Sequence, residues 1–147
     1  MDTNIAATYC EQLAEEKLQE WSWINIFYDP NRDLRMTEAS QLFVEAGDRY
    51  KVCKEYDYAA QMYKKAYNCV GKKEYIVKSI DSLLLNPHCD IESVENELDS
   101  INFASQDIGH CYIKLGDIYA DISKFKLAND CYSKAFIHGV NAMMMVD

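Results

Sequence analysis

Three histidines, at 88, 110 and 138, and six cysteines, at 10, 53, 69, 89, 111 and 131, are the residues best suited to hold a metal or act as nucleophiles. A zinc site would need His88-Cys89 and His110-Cys111 to converge, and sequence neighbours on a helix point to different faces. The cysteines never form a CxxC pair, so each reads as a small apolar residue of a helical core. No Ser or Cys sits in a strained GxSxG turn, and no glycine-rich loop offers itself to a phosphate. The Glu-rich stretches read as solvated helix faces rather than paired catalytic carboxylates. We therefore assign no catalytic residue, no cofactor and no metal, and read the chain as a non-enzyme.

The elements that would carry any site are helices. The chain has 147 residues, 49% apolar and 27% charged, the size and composition of one globular domain. Two prolines and five glycines are too little punctuation for a many-stranded fold. Fifteen Lys and Arg face 24 Asp and Glu, and a net charge of −9 argues against a nucleic-acid partner. No run of about 18 apolar residues is present, so no membrane span is expected. Met1-Asp2-Thr3-Asn4 lacks the basic-then-apolar start of an export signal. Reduced thiols and a cytoplasmic location, with peripheral membrane contact considered below, are the expectation.

Ile5, Tyr9, Leu13, Ala14, Leu18 and Trp21 recur at helical spacing and predict helix one over 4–22, with Thr3 or Asn4 as N-cap. An aromatic loop over 23–35 follows, closed by Asp29-Pro30-Asn31-Arg32-Asp33, and Thr37 is placed to cap a second helix from Glu38. From Ser40 the slots of a tetratricopeptide unit of about 34 residues are filled by Phe43, Ala46, Gly47, Tyr50, Ala59, Tyr63 and Ala66. A shift of 69, the distance from Gly47 to Gly116, fills them again with Tyr112, Leu115, Gly116, Tyr119, Ala128, Tyr132 and Ala135. The small residues mark close helix crossings, and the four tyrosines are expected to fill gaps between neighbouring hairpins. Between the two clear hairpins, helices over 74–85 and from Asp90 through Ile91, Val94, Leu98, Ile101 and Phe103 flank a break at Asn86-Pro87-His88-Cys89. The predicted fold is all-α: a right-handed superhelical solenoid of antiparallel hairpins at about 37–70, 74–106 and 108–141, preceded by a solitary N-terminal helix, in one domain spanning 1–147.

Helix one, the aromatic loop and the segments Phe43–Lys51, Ala59–Ala66 and Asp107–Tyr119 together resemble the soluble NSF-attachment proteins, the SNAP adaptors. The resemblance covers the N-terminal part of a typical family member. It implies a TPR-like adaptor that lies along a bundle of SNARE helices at membranes in vesicle fusion and trafficking. It also implies that the loop after helix one touches lipid, which singles out Trp21, Trp23, Ile24, Ile26, Phe27 and Tyr28. The family grips acidic bundles with Lys and Arg, whereas this chain is acidic overall. Its ATPase contact lies in a C-terminal region that this chain lacks, so a competitor of the full-length adaptor that does not stimulate the ATPase is the expectation.

Read from the residues alone, the aromatic loop has two readings, a membrane contact or a core beneath the first hairpin. Trp and Tyr favour a membrane interface, while Asp29 and Asp33 offset Arg32 and Arg35. The concave faces of the two A helices present Gln41, Val44, Asp48 and Lys51, then His110, Ile113, Asp117 and Asp121, as candidate partner contacts. Tetratricopeptide clamps for a terminal carboxylate carry Lys and Asn where this chain has Val44 and Asp48, which argues against such a clamp. Ala142-Met143-Met144-Met145-Val146-Asp147 follows the last hairpin with no polar capping helix. Tyr132, Phe136, Met143 and Met144 are therefore expected to be covered by a partner helix or by a second copy in a homodimer. The alternative to a SNAP-like adaptor is a generic TPR scaffold or homodimerising module unrelated to membrane traffic.

Overall fold

The computed structural model describes residues 2–19 and 31–144. Among them lie seven helices and no strand: α1 (Asp2–Gln19), α2 (Arg32–Val52), α3 (Tyr56–Val70), α4 (Lys73–Leu85), α5 (Ile91–Asp99), α6 (Gln106–Asp121) and α7 (Phe125–Met144). The protein is all-α, and the consecutive helices that pack extensively are α1 with α2, α2 with α3 and α6 with α7, with a briefer contact of α5 and α6. They group into two compact units, Met1–Leu83 and Leu84–Asp147.

In the first unit α2 packs against both α1 and α3. Its core joins Phe43, Ala46 and Tyr50 of α2 to Ala59, Met62, Tyr63 and Ala66 of α3. Helix α1 contributes Ala7, Cys10 and Ala14 to this core. Of the expected stripe Ala14 is buried and Leu18 packs against this core, whereas Ile5 and Tyr9 point to solvent and Ala7 and Cys10 take their place. Small residues at i, i+3 and i+7 let α1 lie close along α2, and a close crossing has no room for an isoleucine or tyrosine. Asn4 sits inside α1 rather than at its cap, and its amide donates to Glu55 Oε1 at 3.0 Å.

Helix α2 starts earlier than Thr37 suggests, so residues 32–35 are helical rather than loop. The Thr37 hydroxyl donates to the Asp33 carbonyl one turn back at 2.8 Å, the bond a mid-helix threonine makes in place of capping. In the second unit the Asp90 carboxylate does cap α5, accepting from the Ser93 amide at 3.3 Å. This helix stops at Asp99, leaving Ile101 and Phe103 beyond it; the Ser100 hydroxyl takes the Glu97 carbonyl at 2.7 Å and ends the turn. Ser105 then caps α6 by accepting from the Asp107 amide. Ile108, Cys111, Tyr112, Leu115 and Tyr119 of α6 are buried, as are Ala128, Cys131 and Ala135 of α7.

The two clear hairpins turn in the same way. Lys54 (φ 62°) and Ser123 (φ 63°), 69 positions apart, both adopt the left-handed conformation. After each, the next amide closes back over the helix end, Glu55 to the Tyr50 carbonyl and Lys124 to the Tyr119 carbonyl, both at 2.9 Å. At the crossings a Cβ on Gly47 would lie 2.7 Å from the Tyr63 ring, and one on Gly116 would lie 2.7 Å from the Tyr132 ring. Tyr63 and Tyr132 therefore rest on the glycine of their own hairpin, not in a gap between hairpins as the repeat pattern suggested. Their hydroxyls donate to the aspartates that follow those glycines, Asp48 and Asp117.

Candidate interaction surfaces

Tyr50 and Tyr119, the other repeated pair, reach the helix that precedes each hairpin. Tyr50 donates to Glu11 Oε2 of α1 at 3.2 Å, and Tyr119 donates to Glu95 Oε1 of α5 at 3.1 Å. Lys65 of α3 meets Glu15 at 2.7 Å and Glu11 at 4.0 Å, with its ammonium 5.6 Å from the Phe43 ring centroid. Lys134 of α7 meets Asp99 at 3.1 Å and Glu95 at 3.5 Å, again 5.6 Å above a ring, that of Tyr112. Glu11 and Glu15 thus correspond to Glu95 and Asp99 at a shift of 84, so α1 and α5 do the same job. A carboxylate pair one turn apart anchors each hairpin through one tyrosine and one lysine. These charges have structural partners and are not an acid–base site.

The second copy of this arrangement is the more enclosed in its titrating groups. Burial, and then the bond to Asp99, push the Tyr112 hydroxyl well above the ordinary phenol range. Tyr119 is raised by burial and by the Glu95 charge. Burial and a 3.5 Å bond from its thiol to Glu95 push Cys131 up to about 12. A thiol so placed stays protonated and unreactive. His138, tilted against the Tyr112 ring with centroids 5.3 Å apart, is lowered by burial against the pull of Asp99. Cys111 is buried while its neighbour His110 is exposed, so that pair points apart. Among the described residues no three His, Cys, Asp or Glu side chains gather to hold a metal.

The surfaces expected from sequence fall as follows. On α2, Gln41, Asp48 and Lys51 are exposed and Val44 packs against the core. On α6, His110, Ile113, Asp117 and Asp121 are all exposed. Asp48 and Asp117 are in addition tied to tyrosine hydroxyls, a structural role their spacing did not announce. Trp21, Trp23, Ile24, Ile26, Phe27 and Tyr28 lie outside the described residues. On α7, Tyr132, Phe136, Met143 and Met144 are 36%, 74%, 69% and 77% exposed. Phe125, Ile137 and Val140 extend this apolar surface and were missed, although Phe125, Tyr132, Phe136, Val140 and Met143 share one face at helical spacing.

A second surface that sequence reading missed lies in the first unit. Ile5, Thr8 and Tyr9 of α1 line an open groove of about 910 Å³ with Val52, Cys53 and Glu55 at the α2–α3 turn. The apolar recurrence at 5 and 9 was visible but assigned to the core. Among the described residues no helix is long and apolar enough to cross a membrane.

Comparison with known families gives one match: the model of the family described as soluble NSF attachment protein, SNAP, aligns with residues 6–78. That stretch covers most of α1, all of α2 and α3, and the first part of α4. No curated protein and no solved structure matches the chain.

Proposed function

Because residues 6–78 belong to the N-terminal part of the soluble NSF attachment protein family, we propose that the chain is a non-enzymatic adaptor that binds SNARE-type helical bundles at membranes during vesicle fusion and trafficking. The observation that carries this reading is the family match itself, which spans the aromatic segment and the whole first hairpin. Helical hairpins suit the role, because such repeats offer extended faces for long partners rather than enclosed pockets for chemistry. In this proposal Gln41, Val44, Asp48 and Lys51 of α2 and His110, Ile113, Asp117 and Asp121 of α6 meet the partner. Trp21, Trp23, Ile24, Ile26, Phe27 and Tyr28 contact lipid, where an aromatic body with a polar tip is at home. The chain competes with a complete family member for the same bundle.

The test is a pull-down of an assembled SNARE bundle, alone and against a full-length SNAP adaptor. Retention of the chain and its displacement by excess adaptor are expected; no retention at tens of micromolar chain would overturn the reading. Co-sedimentation with neutral liposomes tests the lipid contact separately. Trp23→Ser with Phe27→Ser should abolish sedimentation and leave helix content unchanged, whereas unfolding of that double variant would assign the segment to the core.

A further inference from the structure

In the first unit the outer face of α3 is closed by α4. The Ser79 hydroxyl donates to the Ala60 carbonyl at 2.9 Å in a buried contact, and the Lys78 ammonium stands 5.7 Å from the Tyr63 ring centroid. Tyr63 is left 1% exposed. The corresponding face of α7, 69 positions later, carries Asn129, Tyr132 and Phe136, and it stands open. Tyr132 lies on Gly116 and bonds Asp117 just as Tyr63 lies on Gly47 and bonds Asp48. The seat is the same, and among the described residues nothing covers it.

We propose that this open face of α7 docks a single amphipathic α-helix of a partner protein with the chemistry of α4: a small hydroxyl residue at the crossing, a lysine just before it and an aromatic residue one turn back, as in Tyr75, Lys78 and Ser79. Charge decides the occupant. Asp117 and Asp121 stand beside Tyr132, as Asp48 stands beside Tyr63 where the Lys78 ammonium reaches the ring, so a lysine is the matching group. A second copy would set Asp117 and Asp121 against their own kind on a chain of net charge −9. A lysine-bearing helix is attracted instead, with its apolar side laid on Phe136 and Met143 as helix-in-groove partners are. This site borders the SNARE-binding surface proposed above at Asp117 and Asp121, while Phe136 and Met143 of α7 belong to it alone.

The probe is a fluorescein-labelled peptide of residues 73–85, titrated into the full chain and followed by anisotropy. Saturable one-site binding is expected. It should weaken at least tenfold with Phe136→Asp or Met143→Asp in the protein, both exposed positions whose change leaves the helix content intact by circular dichroism. Lys78→Glu in the peptide should weaken it as much at low salt and less at high salt. Absence of saturable binding would overturn the proposal, as would binding that survives both protein variants. So would a dimer in sedimentation equilibrium that Phe136→Asp dissolves, since it would make the occupant a second copy. The SNARE pull-down should be unchanged by Phe136→Asp, so failure of one reading leaves the other standing.

Discussion

The hairpins α2–α3 and α6–α7 are built to one plan and finished differently. Both turn through a left-handed residue, both lay a tyrosine on a glycine, and both are pinned to a preceding helix by a carboxylate pair and a lysine. In the first, α1 lies along α2 through alanine and cysteine, and α4 seals α3. In the second, α5 is shorter, buries Val94 and Leu98 and touches α6 over a brief stretch, and the outer side of α7 is exposed. The internal clamp has the same geometry in both hairpins, although the outer face of one is covered and that of the other is exposed among the described residues. The outer face is where the copies are free to diverge, from Ala60 and Tyr67 in one to Asn129 and Phe136 in the other.

The largest expected contrast is at the clamps. Tyr63 is enclosed and cannot move away from a new methyl group, so Gly47→Ala should destabilise the protein by about 2 kcal/mol, within the range for overpacking. Tyr132 can swing outward, and replacing a mid-helix glycine by alanine gains up to about 1 kcal/mol, so Gly116→Ala should come out near zero. Gly139, with nothing within 4 Å of its would-be Cβ, is the control and should be stabilised by alanine by roughly 0.5–1 kcal/mol. Urea denaturation ranks the three, and equal losses at Gly47 and Gly116 would break the contrast.

Next in size is the alkaline limb. Among the raised groups of the second unit Cys131 has the lowest free value and so acts first; its folded form favours the protonated thiol, so its contribution is whole below the free-thiol value near 9 and is lost as pH rises toward about 12. Its counterpart in the first unit is Met62, which does not titrate. Cys131→Met should therefore flatten the fall in melting temperature between pH 9 and 11, read by thermal scans across that range. A slope identical to the parent would mean that Cys131 does not carry it.

The turn residues should sharpen the likeness of the two hairpins. Lys54→Gly and Ser123→Gly each relieve a left-handed side-chain conformation and should each stabilise by about 0.5–1 kcal/mol, after the entropy a glycine adds to the unfolded chain. A gain at one turn and a loss at the other would show that the turns only look alike. Smallest are the lysine anchors. Lys65 and Lys134 are 42% and 37% exposed, and exposed ion pairs are worth roughly 0.2–1 kcal/mol, so Lys65→Met and Lys134→Met should cost no more than about 1 kcal/mol each. A double-mutant cycle of Lys134 with Asp99 measures the pair directly.

The sequence by itself determined what depends on neighbours within a turn or within a hairpin. The absence of turn residues between apolar positions predicts the helices, Asp90 predicts its own cap, and glycine at 47 and 116 with alanine twelve residues later predicts two equal crossings. These are short-range facts, since a capping bond or a hairpin contact is set by residues a fixed small distance apart. Only the tertiary structure decided which face of α1 is buried. Periodicity shows that a helix has an apolar side, but the inter-axial distance selects Ala7, Cys10 and Ala14 over Ile5 and Tyr9, and that distance belongs to the pair of helices. The equivalence of Glu11 and Glu15 with Glu95 and Asp99 was hidden for the same reason. It runs at a shift of 84 while the hairpins repeat at 69, so no single register shows it, and it becomes visible only where lysine and tyrosine from distant helices close on the same carboxylates.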